Sequence, residues 1–301
     1  MRIGVMIGGG DPEDLIRQAK DFEVRGFDSV WMANAPGYGL DTLNAMMLLA
    51  HETNRIKLGT AVIPIYLHHP LALAQSALSI QKAAEGRFTL GIGLSHPEIV
   101  EEWLGLSYKN VVTRLDEYLS ILLPLLNGEK AAFKGDFYSA DAGVYLSDVE
   151  PVPVLVAAMG PKMLKLAGEK TDGTVTYLTG QRTLESHIIP GIRGAAEVAG
   201  RPAPQIAAAG LPIALVDDVE GTRAKIAQDY DGYETLPTYR AMLDREGVTG
   251  CEDVAILGDA DVLAASLEHL ASIGVTDFIA SPLWMDEATY ERTIDFLTVQ
   301  L

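Results

Sequence analysis

Cysteine is almost missing from this chain: of 301 residues only Cys251 is one, so no disulfide can form within it. That scarcity excludes a disulfide-built scaffold, and no cysteine pattern supports a metal cluster. Positive charge is also short, with 23 Lys and Arg against 41 Asp and Glu and a formal charge of −18. A surface of that sign repels nucleic acid and anionic lipid, so neither is expected as a partner. No apolar run approaches the ~18 residues of a bilayer span. The opening segment, MRIGVMIGGG, enters a strand-like run without the basic-then-apolar pattern of a secretion leader. Low-complexity linkers are lacking as well. With 48% hydrophobic residues, the expectation is a soluble cytoplasmic protein folding as one domain over residues 1–301.

What is present is a regular alternation of strand and helix. The stretch from Leu58 to Glu98 is its clearest instance. Val62, Ile63 and Ile65 form a β-favouring run, Pro64 and Pro70 bracket a loop, and Pro70 suits a first helical turn. Phe88–Ile92 is short and wholly apolar apart from Thr89 and Gly91, as a strand covered on both faces should be. Further strands are expected at Arg2–Ile7, Asp28–Met32, Ile56–Val62, Val152–Ala157, Gly173–Tyr177, Ile206–Leu215 and Thr276–Ala280. Helices are expected from Asp11 to Gly26, at Val111–Leu126, Gly160–Lys170, Leu184–Ala199 and Asp261–Ile273, and from Glu287 onward. Two excursions break the rhythm, near residues 128–152 and 229–258. Eight strand–helix units predict an α/β fold of the (β/α)8 TIM barrel type with insertions after strands 4 and 7. An open doubly wound sheet is the runner-up.

Several motifs invite chemistry and lose most of it on inspection. Gly8-Gly9-Gly10 follows the first strand, but its spacing is not G-x-G-x-x-G, and Met32-Ala33-Asn34 offers no acid for a ribose. Gly93-Leu94-Ser95-His96-Pro97 has the outline of a nucleophile elbow, with Pro97 where the second glycine belongs. His68 and His69 are adjacent rather than one turn apart, which suits a helix entry better than a metal. His51 and Cys251 read as structural. Ala158-Met159-Gly160-Pro161-Lys162 is more promising, because small residues at a helix start expose amide donors to an anion. Lys162 or Arg182 would add a point charge there, and a plain Gly-Pro helix entry is the competing reading.

Four segments together resemble the bacterial luciferase-like superfamily, and within it the coenzyme F420-dependent oxidoreductases. They are GFDSVWMAN, ETNRIKLGTAVIPIYLHHPLALAQ, EGRFTLGIGLSHPE and PVPVLVAAMGPKMLKLAGEKTDG. Methylenetetrahydromethanopterin reductases and F420-dependent glucose-6-phosphate dehydrogenases belong to that branch. The resemblance implies a homodimeric barrel that binds a small-molecule substrate and its coenzyme at the C-terminal mouth. It implies hydride transfer at the deazaflavin C5, and a non-prolyl cis peptide that maps to Ala61-Val62. Asn34, Gly59, Thr60, Ala61 and Val62 would contact the ring, with Leu94 and Ser95 beside it. Ala158, Met159, Gly160, Pro161 and Lys162 would take the phosphate. His96 falls where the sugar-phosphate dehydrogenases carry a proton-donating glutamate, although capping the helix at Pro97 explains it equally well. Two departures are plain: Asn34-Ala35 stands where many relatives have Asp-His, and Met6 where the methanopterin reductases have a carboxylate. An FMN-dependent monooxygenase, or a coenzyme carrier without turnover, are the alternatives on the same fold. The substrate pocket is expected from Gly8–Asp11, Pro36–Leu40, Pro64–His69 and Tyr230–Arg245, with Tyr38, Tyr230, Tyr233 and Tyr239 suggesting an aromatic lining.

Overall fold

Eight parallel strands close into a barrel in the computed structural model, which describes residues 1–301. They are β1 (Arg2–Met6), β2 (Ser29–Met32), β3 (Lys57–Thr60), β4 (Phe88–Gly93), β5 (Val154–Val156), β6 (Gly173–Tyr177), β7 (Gln205–Leu215) and β8 (Asp277–Pro282). Each pairs with its sequence neighbours, and β8 pairs β1 to close the ring. Outside lie α1 (Pro12–Arg25), α2 (Thr42–Glu52), α3 (Pro70–Ala83), α4 (Val111–Leu126), α5 (Pro161–Lys170), α6 (Ile189–Val198), α7 (Val219–Asp229), α8 (Pro237–Glu246), α9 (Ala260–Ile273) and α10 (Glu287–Val299). The barrel expectation holds, and the open sheet is excluded by closure.

Local chemistry explains the element ends. Asp11 caps α1 by accepting from Glu13 and Asp14 amides, and Gly26 terminates it in the left-handed region. Asp41, Asp218, Asp259 and Asp286 cap α2, α7, α9 and α10 in the same way. The barrel interior is filled by Trp31, Leu155, Val175, Ala207, Ala209 and Ile279, one large ring among smaller side chains. A larger apolar shell between strands and helices includes Phe22, Phe27, Phe88, Tyr118 and Phe278.

Two backbone features shape the mouth. A Cβ at Gly91 would sit 1.9 Å from the Thr60 carbonyl, so only glycine lets β3 and β4 approach this closely. β3 ends at Thr60, pairing resumes at Ile63–Pro64, and the Ala61–Val62 peptide between them is cis. On the opposite side, the β7–β8 register shifts between Ala209 and Leu211. Gly210 adopts φ +68 at this bulge, and a Cβ there would lie 2.0 Å from the Tyr177 ring. The bulge therefore opens the space that the Tyr177 ring fills.

The first insertion is an antiparallel hairpin, Ala131–Lys134 with Ser139–Ala142. The second differs from the plain excursion expected of it. It carries the helix α8, follows the unexpected helix α7, and ends in a short strand, Ile256–Gly258, paired to β7. Helix α7 was hidden because it is polar on nearly every side, with only Thr222 and Ile226 buried.

Candidate active site

A cavity of about 840 Å³ opens at the C-terminal ends of β2 through β6, beneath α8. Its volume lies within the range of small-molecule and cofactor pockets. Of the 29 residues that line it, 18 are hydrophobic, none is acidic, and Lys162 is the one Lys or Arg. Each strand end contributes. β2 is followed by Ala33, Asn34 and Pro36; β3 by Ala61, Val62 and Pro64; β4 by Leu94, Ser95 and His96; β5 by Ala157, Met159 and Gly160. β6 adds Val175, Thr176 and Tyr177, and the second insertion adds Tyr233, Tyr239 and Met242.

Part of the cavity lining is main chain and small side chains. The Asn34 amide reaches the Val62 carbonyl at 3.4 Å, and the Ala61 amide donates to the Met32 carbonyl at 2.9 Å. Thr42 Oγ1 donates to the Ala33 carbonyl at 2.9 Å and lies 3.4 Å from Asn34 Oδ1, which fixes the turn after β2. At β5 the helix α5 begins with Gly160 as its cap and no side chain capping it. Its first amides therefore lack partners within the helix. A Cβ placed on Gly160 would meet open space, and His187 Nε2 lies 2.8 Å from the Met159 carbonyl just before it.

Another part is aromatic. His96 stands 5.9 Å from Tyr239 and 6.3 Å from Tyr233 between ring centroids, and Tyr233 packs edge-on against Tyr239 at 5.2 Å. Tyr177 joins them at 6.0 Å from Tyr233, and Tyr230 backs Tyr233 at 5.9 Å. Burial lowers the His96 pKa, and nearby Glu98 opposes this in part, so the imidazole favours its neutral form. Burial raises the Tyr177, Tyr230, Tyr233 and Tyr239 phenols, keeping them protonated. Tyr108, pushed up to about 12 mainly by burial, donates to the Ser95 carbonyl at 3.1 Å and holds the loop after β4, where Ser95 takes φ +62.

Most residues singled out in the sequence meet at this cavity: Asn34, Ala61, Val62, Leu94, Ser95, His96, Met159, Gly160, Pro161 and Lys162. Gly59, Thr60 and Ala158 stand behind its wall. A Cβ on Gly59 would strike the Trp31 ring at 2.3 Å, so that glycine serves the barrel filling. Thr60 Oγ1 donates to the Gly91 carbonyl and accepts the Gly91 amide, both at 2.8 Å, so it is spent in the β3–β4 ladder. Ala158 is fully buried. Arg182 does not line the cavity, and the short helical turn Gln181–Thr183 to which it belongs is capped by Glu246, which accepts from the Arg182 and Thr183 amides. Gly8–Asp11 does not line the cavity, and Tyr38 packs against Trp103 at 6.2 Å while remaining 70% exposed. His69 Nδ1 accepts from the Leu71 amide, which is the helix-entry role expected of it. Cys251 is buried, and its thiol is pushed up to about 11 by desolvation. Sequence reasoning passed over Tyr108, Thr176 and Tyr177. Of these, Tyr177 had a signal, because it ends a barrel strand at the face where such folds bind ligands.

A closed (β/α)8 barrel with one large cavity at its C-terminal mouth defines the class of protein. Residues 1–276 match the luciferase-like monooxygenase family, and the chain belongs to that family. A relative from Amycolatopsis mediterranei, named F420-dependent glucose-6-phosphate dehydrogenase, is 30% identical over 245 residues, covering 76% of this chain and 69% of that one. A 5,10-methylenetetrahydromethanopterin reductase from Methanolobus tindarius is 26% identical over 312 residues, covering 94% and 95%. Among solved structures, an F420-dependent secondary alcohol dehydrogenase with an F420–acetone adduct superposes with TM-score 0.81 at 21% identity, covering 100% of this chain and 98% of that one. The oxygenating constituent of the Pseudomonas putida 3,6-diketocamphane monooxygenase, in complex with FMN, gives TM-score 0.76 at 17% identity, covering 99% and 96%. No helix is long and apolar enough to cross a membrane.

Proposed function

We propose that this chain is a coenzyme F420-dependent oxidoreductase acting on a small, uncharged organic molecule. The observation that carries the reading is the presence, in one cavity, of main chain with an open helix start and of aromatic rings around a half-buried histidine. The names of the two sequence relatives support the choice of coenzyme. When bound, F420 supplies a C5 that carries or accepts hydride. Asn34, Ala61 and Val62 would hold the ring, while the amides opening α5 and Lys162 would hold the phosphate. His96, Tyr233 and Tyr239 would close over the substrate and exclude water from the reacting carbon. His96 would give a proton to the substrate oxygen, or take it back in the reverse direction.

A phosphorylated sugar does not suit this site. The single cation at its wall, Lys162, is assigned to the coenzyme phosphate, and no other Lys or Arg in the lining offsets a second dianion. A neutral carbonyl compound, packed by the tyrosines with its oxygen toward His96, fits the lining. A homodimer belongs to the same reading, to be measured by light scattering. The test of the coenzyme is a fluorescence titration of purified protein with F420 and with FMN. A micromolar or tighter response to F420 alone supports the assignment, whereas tight FMN binding without a response to F420 transfers it to a flavin monooxygenase. Bound F420 that never changes redox state across neutral aldehydes, ketones and alcohols would make the protein a carrier instead.

A further inference from the structure

Thr176 is 2% exposed and lines the cavity, yet its hydroxyl has no hydrogen-bond partner. Buried polar groups without partners are few in native proteins, so one facing a cavity asks for a ligand. Strand alternation sets its direction. Val175 belongs to the barrel filling with Trp31 and Leu155, so Thr174 and Thr176 share the opposite face of β6. Thr174 Oγ1 donates to the Val156 carbonyl at 2.8 Å, and β5 runs beside β6 with Val156 opposite Thr174. Thr176 lies two residues further along, roughly 6.6 Å at the rise of a strand. That is level with Ala158 and the Met159–Gly160 segment, beyond the end of β5 at Val156. No neighbouring carbonyl takes its proton. Gly160, with open space above its Cα, and Lys162 share the same cavity wall.

We propose that Thr176 Oγ1 donates a hydrogen bond to a phosphate oxygen held at the start of α5, so that Thr176 selects the phosphorylated form of a ribityl-bearing coenzyme. The inference rests on the reading that a deazaflavin or flavin binds here, and it adds a residue that the resemblance does not supply. A carboxyl or sugar hydroxyl would satisfy Thr176 equally well; F420 differs from its core by tail carboxylates as well as phosphate, so FMN against riboflavin, which differ in phosphate alone, and inorganic phosphate separate these from phosphate.

The probes are F420 and its phosphate-free deazaflavin–ribityl core, with FMN and riboflavin as the second pair. Dissociation constants are measured by fluorescence for the wild type, Thr176→Val and Thr176→Ser, each checked for an unchanged fold by circular dichroism and melting. Thr176→Val should weaken the phosphorylated member by roughly tenfold or more, leave the phosphate-free member within about twofold, and be rescued by Thr176→Ser. Equal weakening of both members, or none of either, overturns the proposal while leaving the coenzyme assignment intact. If the wild type binds neither pair, the functional reading falls. Inorganic phosphate then decides the residue's role: protection of wild type but not Thr176→Val against heat supports it, and equal protection of both overturns it.

Discussion

His96 carries the sharpest consequences at the scale of single residues. Burial among Tyr233 and Tyr239 lowers its pKa below the usual ~6.5. If it delivers the proton, kcat for substrate reduction should decline as pH rises through that lowered value, because the imidazolium is the form being lost. His96→Gln should abolish this limb and reduce kcat about a hundredfold, within the range for a lost acid–base group. A pH–rate profile unchanged by the substitution removes the assignment. The same shift has a sign for folding. The unfolded chain binds the proton more tightly than the folded one, so the histidine's contribution is present above ~6.5 and lost as pH falls through the folded value. Melting curves between neutral and mildly acid pH should be flatter for His96→Gln than for the wild type.

The elements are held in place by a few contacts that substitution can reach. Gly91→Ala would set a methyl against the Thr60 carbonyl, and β3 and β4 would have to part. A loss of about 2–3 kcal/mol is expected, with weakened coenzyme binding because Ala61 and Val62 continue that strand. Denaturant melts and F420 titration check both halves. The hairpin at residues 131–142 is anchored by Glu117, whose carboxylate accepts the Asp136, Phe137 and Tyr138 amides at 2.9, 2.7 and 3.0 Å. Burial alone would raise its pKa, but those amides and Arg114 outweigh it and hold the carboxylate below its usual range. Glu117→Gln keeps one acceptor oxygen and should cost about 1–3 kcal/mol, read as a lower Tm. Legibility in the sequence follows from what each element is made of. Apolar β4 and the Asp–Pro start of α1 announced themselves, since their signals are local. Helix α7 did not, having little apolar surface to betray it. The site divided likewise: Asn34, His96 and Gly160 stand at strand ends that a linear reading can locate. Thr176 became notable only through the absence of a partner, which is a property of packing; Tyr177 could be located as a strand end, and only its place beside the bulge at Gly210 belongs to packing.

At the scale of the whole molecule, the sign of the protein's charge opposes the ligand it is assigned. A net charge of −18 makes a field that repels a phosphate-bearing coenzyme at long range, while Lys162 and the open start of α5 attract it only at contact. These two effects respond differently to salt. The long-range field reaches about 30 Å at 0.01 M ionic strength and about 8 Å at 0.15 M, whereas partly buried contacts are screened much less. The association rate of F420 should therefore rise with added salt, with the dissociation rate nearly constant. Most proteins that bind anions through a basic surface show the reverse. Stopped-flow fluorescence at increasing ionic strength reads both rates, and the phosphate-free core supplies the control, since with less charge its association should respond less. A rate that falls with salt would mean that a positive patch near the mouth guides the coenzyme in. The phosphate would then be recognised by side-chain charge, and main-chain amides at α5 would lose the leading part assigned to them here.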